Sequence, residues 1–594
     1  MHQQWKTVVA VSLLLGCVWG VFGKEVAQAQ TAPTHNMQLW DAQKTDWTDG
    51  NLKNLKNSGF SVVQNGYNAS LIPSRSFLDK ISSYGLSYGA YVDTRYLFRS
   101  KATSTEKSVA NLYVKNPDGS TNTNEFNTFN RTYQSVVARE LSKLLNGIGS
   151  SKGLYKIMFN SEHGSPISYD SLTKSIAVSG GVMTSTQGIP VYARGVLTTM
   201  PSNGTDPCRF LRWFDNWGGD IAVNTLAANS ARYIYPSVKT TTDPLSDDYG
   251  HGQYRKQDIL QDWVRIHSAP RDPLSIAYRT ERLKSDKKLT GGEIWIGPQL
   301  GTATSTASYA APADAFEEAL WLSTAFGARG STFWGYNAIR WSNSADLDTW
   351  SRIKKYHTSL VTNTPLLLSA TDTPRVVAVL LSKSNQVLSG HAYYETDNNY
   401  ENFFRALLTA HVPADVLYDE DVLNGALGKY KAVFLPGFGK ISADVQAKIT
   451  SFQNAGGRVI VWPKCAPLYS DAQITAGKTS STANIQNSYP YYLLPDQYRK
   501  WRQWQASLMY AKVSDLLNVR CDNPNVIMNL VTVNGTKYIV LVNDTRTYGT
   551  WCTARGYKWM EDAGLAATCN VTIVNQSRTI QVSLPAAGMK MIQY

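Results

Sequence analysis

Charge is scarce in this chain: Asp, Glu, Lys and Arg make up 17% of its 594 residues, against 43% hydrophobic ones. That balance excludes a disordered or charge-driven polymer and describes a globular protein, long enough for roughly two to four domains. Dense Lys/Arg runs are missing as well. The formal net charge of +13 is therefore read as a diffuse basic surface, and no nucleic-acid partner is expected. Beyond the N-terminal leader, no apolar run reaches the ~18 residues of a membrane-spanning helix. Cysteine is rare too. Past the leader stand Cys208, Cys465, Cys521, Cys552 and Cys569, an odd set whose spacing does not fit a zinc ribbon. Cys552 and Cys569 could bridge within one small domain, with Cys521 competing. His, Cys and Asp nowhere cluster at ligand spacing, so neither a metal nor another cofactor is expected.

What is present begins with a leader. A short polar start containing Lys6, the apolar run Val8 to Phe22 and Ala27-Gln28-Ala29 form a secretory signal over residues 1–29, which implies a secreted or periplasmic protein. Leu14-Leu15-Gly16-Cys17 looks like a lipoprotein cleavage box, but the apolar run continues through Val18 to Phe22, which argues against lipid anchoring at Cys17. Aromatic residues are plentiful, with 17 Trp and 33 Tyr, and such faces stack on sugar rings as readily as they fill cores.

From residue 37 onwards strand-like and helix-like segments alternate. Strands are expected at 37–41, 60–67, 86–93, 154–162, 238–243, 258–263, 293–299 and 331–336, with amphipathic helices between them. Eight such units argue for a TIM (β/α)8 barrel over residues 30–365. Ile189 to Ala193 also reads as a strand and is placed in an excursion. Leu154 to Phe159 is apolar and runs into Asn160-Ser161-Glu162-His163-Gly164. A barrel strand carries a reactive side chain to its C-terminal rim in this way, although a strand ending in a solvated turn gives the same pattern.

The texture changes near residue 372. Val376 to Leu381, Val433 to Gly439 and Gly456 to Trp462, with helices between, indicate a flavodoxin/amidotransferase-like α/β domain over 372–500. Gly437-Phe438-Gly439 lacks the third Gly or Lys of a phosphate loop, and no Ser or Cys occupies a strand-helix elbow. Short alternating segments over 515–594 indicate a small C-terminal β-sandwich.

This layout resembles glycoside hydrolase family 42, the β-galactosidase type with a trimerisation-like middle domain. Asn160-Ser161-Glu162-His163-Gly164 looks like that family's Asn-Glu-Tyr-Gly acid/base segment with one residue inserted. Ala328 to Tyr336 resembles its eighth-strand segment, and Ala432-Val433-Phe434-Leu435-Pro436-Gly437 with Gly456-Gly457-Arg458-Val459 resembles its middle domain. The resemblance spans about residues 37 to 594 and is distant. It implies a carbohydrate substrate, cleavage of O-glycosidic bonds, and a homo-oligomer, trimer or dimer. By this resemblance Glu162 is the general acid. The family's nucleophile, a Glu ending strand seven, is replaced here by Gly297-Pro298-Gln299, and Glu293 lies at the opposite end of that strand, roughly 15 Å away.

Glycosidic cleavage usually needs a second carboxylate. Asp262 at the end of strand six and Asp93 at the end of strand three are the candidates; Asp262 reads equally as an orienting residue, and Asp93 more readily as one than as a catalyst. A sugar-binding barrel without hydrolysis is the alternative. Trp263, Trp334 and Tyr336 are expected to offer stacking faces, and Asn65, Arg95, Asn160, His163, Gln299 and Arg340 to hydrogen-bond substrate hydroxyls.

Overall fold

The computed structural model describes residues 35–42, 47–65, 72–149, 151, 153–161, 166–193, 196–243, 257–264, 273–303, 308–310, 313–335, 344–389, 393–463, 465, 495–547, 551–552, 559–560 and 564–594. The leader lies outside them.

Eight parallel strands close into a barrel: β1 (Asn36–Ala42), β2 (Val62–Asn65), β3 (Ser87–Val92), β4 (Leu154–Ser161), β5 (Lys239–Asp243), β6 (Ile259–Val264), β7 (Glu293–Pro298) and β8 (Gly330–Phe333). Each pairs with its neighbour in sequence, and β8 closes on β1. These are the eight strands expected from the sequence. Helices sheath the barrel, among them α1 (Asp49–Asn57), α2 (Arg75–Ser83), α3 (Thr94–Lys101) and α4 (Arg131–Ile148). Their starts are written locally. Thr48, Ser74, Asp93 and Asn130 each accept backbone N–H groups from the first turn, which would otherwise lack partners. The segment at 189–193 is indeed an excursion: the hairpin Val191–Ala193 with Val196–Thr199 leads into α5 (Pro207–Trp217), before α6 (Gly219–Ile234) returns to the barrel.

Strand alternation sorts the barrel into two faces. Leu39, Val63, Ala90, Ile157, Leu260, Ile294 and Phe333 pack outward in the main apolar cluster. They meet helices that include α7 (Leu274–Thr290), α8 (Ala313–Ala325) and α9 (Ser344–Asn363). Phe316 and Leu320 on α8 are wholly buried, which stabilises the fold by roughly 1.5–3 kcal/mol each. The lumen is polar instead. Gln38 donates to Gln64 (3.2 Å) and Thr332 (3.4 Å), and the fully buried Lys156 bonds Gln261 while its Nζ lies 5.2 Å over the Trp295 ring. Gly89 leaves room for this cation, because a Cβ there would stand 2.9 Å from Gln64 Oε1 and 3.1 Å from Lys156 Cε.

Beyond the barrel, β9 (Val377–Leu381), β10 (Ala414–Tyr418), β11 (Ala432–Pro436) and β12 (Arg458–Trp462) form a parallel sheet in the order β10-β9-β11-β12. Helices α10 (Tyr393–Thr409) and α11 (Ala443–Asn454) alternate with these strands, and α12 (Pro495–Val513) packs on α10. The C-terminal sandwich has one sheet of β13 (Val519–Cys521), β16 (Ala567–Ile573) and β17 (Arg578–Leu584). Its other sheet holds β14 (Val526–Val533), β15 (Thr536–Asn543) and β18 (Met589–Gln593). This second sheet has a further edge strand, Thr371–Asp372, paired antiparallel with β14.

One guanidinium joins these three units. Arg375, in the link between barrel and middle sheet, forks onto Glu281 of α7 at 2.8 and 2.9 Å. It also donates to Ala414 O (2.7 Å) beside Asp415 on β10, to Asp372 (3.1 Å), and to Asn529 of β14 (3.0 Å). Asn529 in turn donates to Ala325 O at the end of α8 (2.8 Å). Burial opposes ionisation of Asp372, yet Arg375 and Lys284 hold its carboxyl well below the usual range. Arg375→Ala is expected to lower stability by roughly 3 kcal/mol, since buried Glu281 would keep only Lys284 and lose the guanidinium fork; urea unfolding of the two proteins measures it.

His35 is buried just before β1, bonded to Ser331 Oγ (3.0 Å) and near the Tyr356 hydroxyl (3.4 Å). Burial, with His357 and Arg329 nearby, depresses its pKa to about 3. His357 and His411 are also lowered, chiefly by burial. The unfolded chain therefore binds these protons first. Stability should be whole above pH ~6.5 and fall progressively as pH drops towards 3. Urea midpoints measured across that window should decline, with a shallower slope in His35→Gln.

Candidate active site

The C-terminal mouth of the barrel is floored by aromatic residues. On the lumen courses, Trp40 of β1, Tyr91 of β3 and Met158 of β4 are buried together, with Trp263 of β6 and Trp334 after β8 packed over them. The Trp263 and Trp334 rings stack at 5.1 Å between centroids and 17° between planes. Trp334 ends its strand where Gly335, at φ 91°, turns the chain away, and its carbonyl accepts from Leu300 N (2.8 Å). The indole Nε1 of Trp334 is buried with no acceptor among the described residues. A buried donor left unmade is costly, and a ligand oxygen at the mouth would satisfy it.

Asn160 sits at the top of β4 in a left-handed conformation, φ 44°. Its Oδ1 accepts from the Thr94 backbone N–H (2.8 Å) and hydroxyl (3.0 Å), and its Nδ2 donates to Asn224 Oδ1 (3.0 Å). Both amide atoms are thus engaged by α3 and α6, so Asn160 is a strut between strand and helices. The register explains its backbone. Met158 pairs with Thr241 but Ser161 pairs with Asp243, so β4 carries one extra residue against β5, a β-bulge beside the rim.

Asp93 continues the lumen course of Gly89 and Tyr91 at the top of β3. Its Oδ1 accepts from Arg95 N (2.8 Å) and Tyr96 N (3.0 Å), capping α3. Arg95 Nη1 donates to both carboxylate oxygens of Glu125, at 3.0 and 2.9 Å. Glu125 belongs to the hairpin Tyr113–Lys115 with Thr121–Phe126, which stands over this rim. Sequence reasoning missed Glu125. The turn residues Asp118-Gly119 were the available signal for that hairpin, and nothing near Glu125 marked it out.

Strand parity places two of the expected site residues, Asp262 and Asn65, on outward courses. Asp262 lies on the same face of β6 as Leu260 and Val264, which pack among the helices, whereas Trp263 takes the lumen face. It is buried, its Oδ1 accepts the Trp263 N–H (2.7 Å), and it is not brought to the lumen beside strand four. Asn65 likewise shares the outward course of Val63, its backbone against the Tyr88 hydroxyl. Gln299 extends the course of Trp295 and Gly297 beyond β7; it is buried, and its backbone N–H donates to Val264 O (2.8 Å). Gly297 is required there, as a Cβ would lie 2.2 Å from Thr332 O on β8. Glu293 is at the far end of β7, where it accepts from Trp295 Nε1 (3.1 Å). Glu162, His163, Tyr336 and Arg340 lie outside the described residues.

Elsewhere, the carboxylates of Glu281, Asp372 and Asp415 converge, with oxygens within 4.8 Å of one another. That cluster surrounds the Arg375 guanidinium and serves as an ion-pair hub.

No protein-family model matches the chain, and no curated protein matches it. Solved structures do. A cold-adapted β-galactosidase from Rahnella sp. R3 aligns over 95% of this chain and 99% of its own, with a TM-score of 0.59 and 13% identity. A family 42 (GH42) β-galactosidase from G. stearothermophilus aligns over 95% and 98%, with a TM-score of 0.58 and 12% identity. α-L-Fucosidase isoenzyme 2 from Paenibacillus thiaminolyticus aligns over 94% and 98%, with a TM-score of 0.58 and 10% identity. At such identities the likeness is one of fold: this chain has the barrel and appended domains of GH42 structures, a fold that hosts glycosidases of differing substrates.

If Asn160 is a strut, Asn160→Ala should lower stability by about 1–3 kcal/mol through the lost bonds to Thr94 and Asn224. Asn160→Gly should recover about 1 kcal/mol of that by relieving the left-handed backbone. Chemical denaturation of the three proteins checks both.

Proposed function

We propose that this chain is an exported glycoside hydrolase acting on a poly- or oligosaccharide at the C-terminal mouth of its barrel. The observation that carries the reading is the stacked pair Trp263 and Trp334 over a buried, largely aromatic floor, with a Trp334 N–H that has no acceptor among the described residues, in a barrel of glycosidase fold. Aromatic faces of this kind bind the apolar faces of sugar rings, and the indole N–H would donate to a ring hydroxyl. Export rests on the leader at residues 1–29.

Glu162 follows directly on β4 and is assigned as the general acid that protonates the leaving glycosidic oxygen. Asp93, on the neighbouring strand's lumen course, is assigned as the second carboxylate in preference to Asp262. It would activate water if the two carboxyls stand roughly 6.5–9.5 Å apart, or attack the anomeric carbon if they stand about 5–5.5 Å apart. Arg95 and Glu125 hold Asp93 in place from the hairpin side. Gln299, His163, Tyr336 and Arg340 supply contacts to substrate hydroxyls. Self-association through the middle domain belongs to the same proposal.

A second reading has its own support. The family's strand-seven nucleophile position holds the amide of Gln299, and the Asp93 carboxylate is already engaged in capping α3. A barrel so equipped could bind sugar without cleaving it.

Wild-type protein tested on aryl glycosides and on neutral and anionic polysaccharides, with the released anomer followed by proton NMR, separates the two. Glu162→Gln is expected to lose about 10²–10⁴-fold in turnover at unchanged stability. Trp334→Phe, which keeps a stacking face and removes the N–H, should weaken sugar binding about tenfold. Measurable sugar binding without turnover by the wild type would replace the hydrolase with the binding protein.

A further inference from the structure

Two of the rare cysteines meet in the C-terminal sandwich. Strand β13 runs antiparallel to β16, with Val519 opposite Ile573, Arg520 opposite Thr572 and Cys521 opposite Val571. Cys569 lies two residues from Val571, hence on the same face of β16 and diagonally across from Cys521. Both side chains join one apolar cluster, with Val519, Val571 and Ile573, and Cys521 Sγ donates to Asn523 O at 3.7 Å. The flanking backbone is clamped. Asn570 donates to both oxygens of Asp522, at 2.7 Å each, Asp522 N donates to Asn570 O (3.2 Å), and Asn523 Nδ2 donates to Thr568 O (3.0 Å).

We infer that Cys521 and Cys569 form an intramolecular disulfide that ties β13 to β16 when the chain meets a small disulfide oxidant. The pairing is diagonal within a clamped register, so closing the bond draws the end of β13, where Cys521 stands, towards β16. Cys521 is the more exposed of the two and takes the oxidant's sulfur as a mixed disulfide, releasing one thiol. Cys569 then attacks the Cys521 sulfur and releases the second. The protein loses two hydrogens, and one oxidant disulfide is reduced to two thiols. Cys208 and Cys465 are buried in other apolar clusters and take no part. The bond closes the chain from 521 to 569 around β14 and β15, which restricts the unfolded state of the sandwich. Because Cys569 is buried, mild reductants should open the bond only when the sandwich itself opens.

The test is peptide mapping of the full-length chain, refolded with oxidised glutathione, alkylated and digested without reductant. A cross-linked pair containing Cys521 and Cys569, 2 Da lighter than the sum of the free-thiol peptides, is expected, together with a rise in melting temperature that reduction abolishes. The conservative variants Cys521→Ser and Cys569→Ser should each lose that rise. Free alkylated Cys521 and Cys569 after oxidation, or linkage of Cys569 to Cys552, would overturn the inference. The mapping uses wild-type protein, so it decides the pairing even where a variant fails to fold.

Discussion

The Arg375 guanidinium is the contact on which the arrangement of the three units depends. A buried cation is tolerable only where several acceptors converge, and here they come from α7, the interdomain link, β10 and β14. Each acceptor belongs to a different part of the chain, so none of the units can shift without leaving part of the guanidinium unpaired. A second set of buried charges works alongside it. Arg546 meets Glu318 of α8 and Asp544, and Asp544 also binds Arg502 of α12 at 2.7 Å. Both hubs grip helices α7 and α8 on the outside of the barrel, leaving the lumen side at the ends of β6 and β8 to the stacked aromatics.

The barrel is legible in the sequence because each strand is a short apolar run with a polar end, set between amphipathic helices whose caps are written in single residues such as Thr48 and Ser74. Facing is harder to read. In Ile259-Leu260-Gln261-Asp262-Trp263-Val264 both courses carry large apolar residues, so hydrophobic alternation does not say which side meets the helices. Only the packing of Leu260 and Val264 against the outer layer settles the matter, and Asp262 goes with them. Thr371–Asp372 is too short to carry any periodic signal, and its place in the sandwich depends on β14, far along the chain. The bulge beside Asn160, where β4 carries one residue more than β5, is likewise invisible to apolar periodicity.

The rim of β3 combines rigidity with polarity. Asp93 starts a helix, the helix presents Arg95, and Arg95 holds a carboxylate on a hairpin of the same β3–β4 connection. Asn160 ties the same helix to β4 through Thr94. A polar chain of this kind fixes the heights of neighbouring strand ends relative to one another, which a catalytic pair on adjacent strands requires.

The short strand Thr371–Asp372 has a consequence for how the protein is made. Thr371 and Thr532 are bonded across 161 residues, and the whole middle sheet lies between them. Topologically, that α/β unit is an insertion within the sandwich, a folded loop hung between its first strand and the rest. Closing a loop of that length is cheap only once the loop has collapsed into its own domain. On a chain emerging from its N-terminus, the barrel and middle unit can therefore fold in turn, while the sandwich must wait for its last strands before its edge is filled.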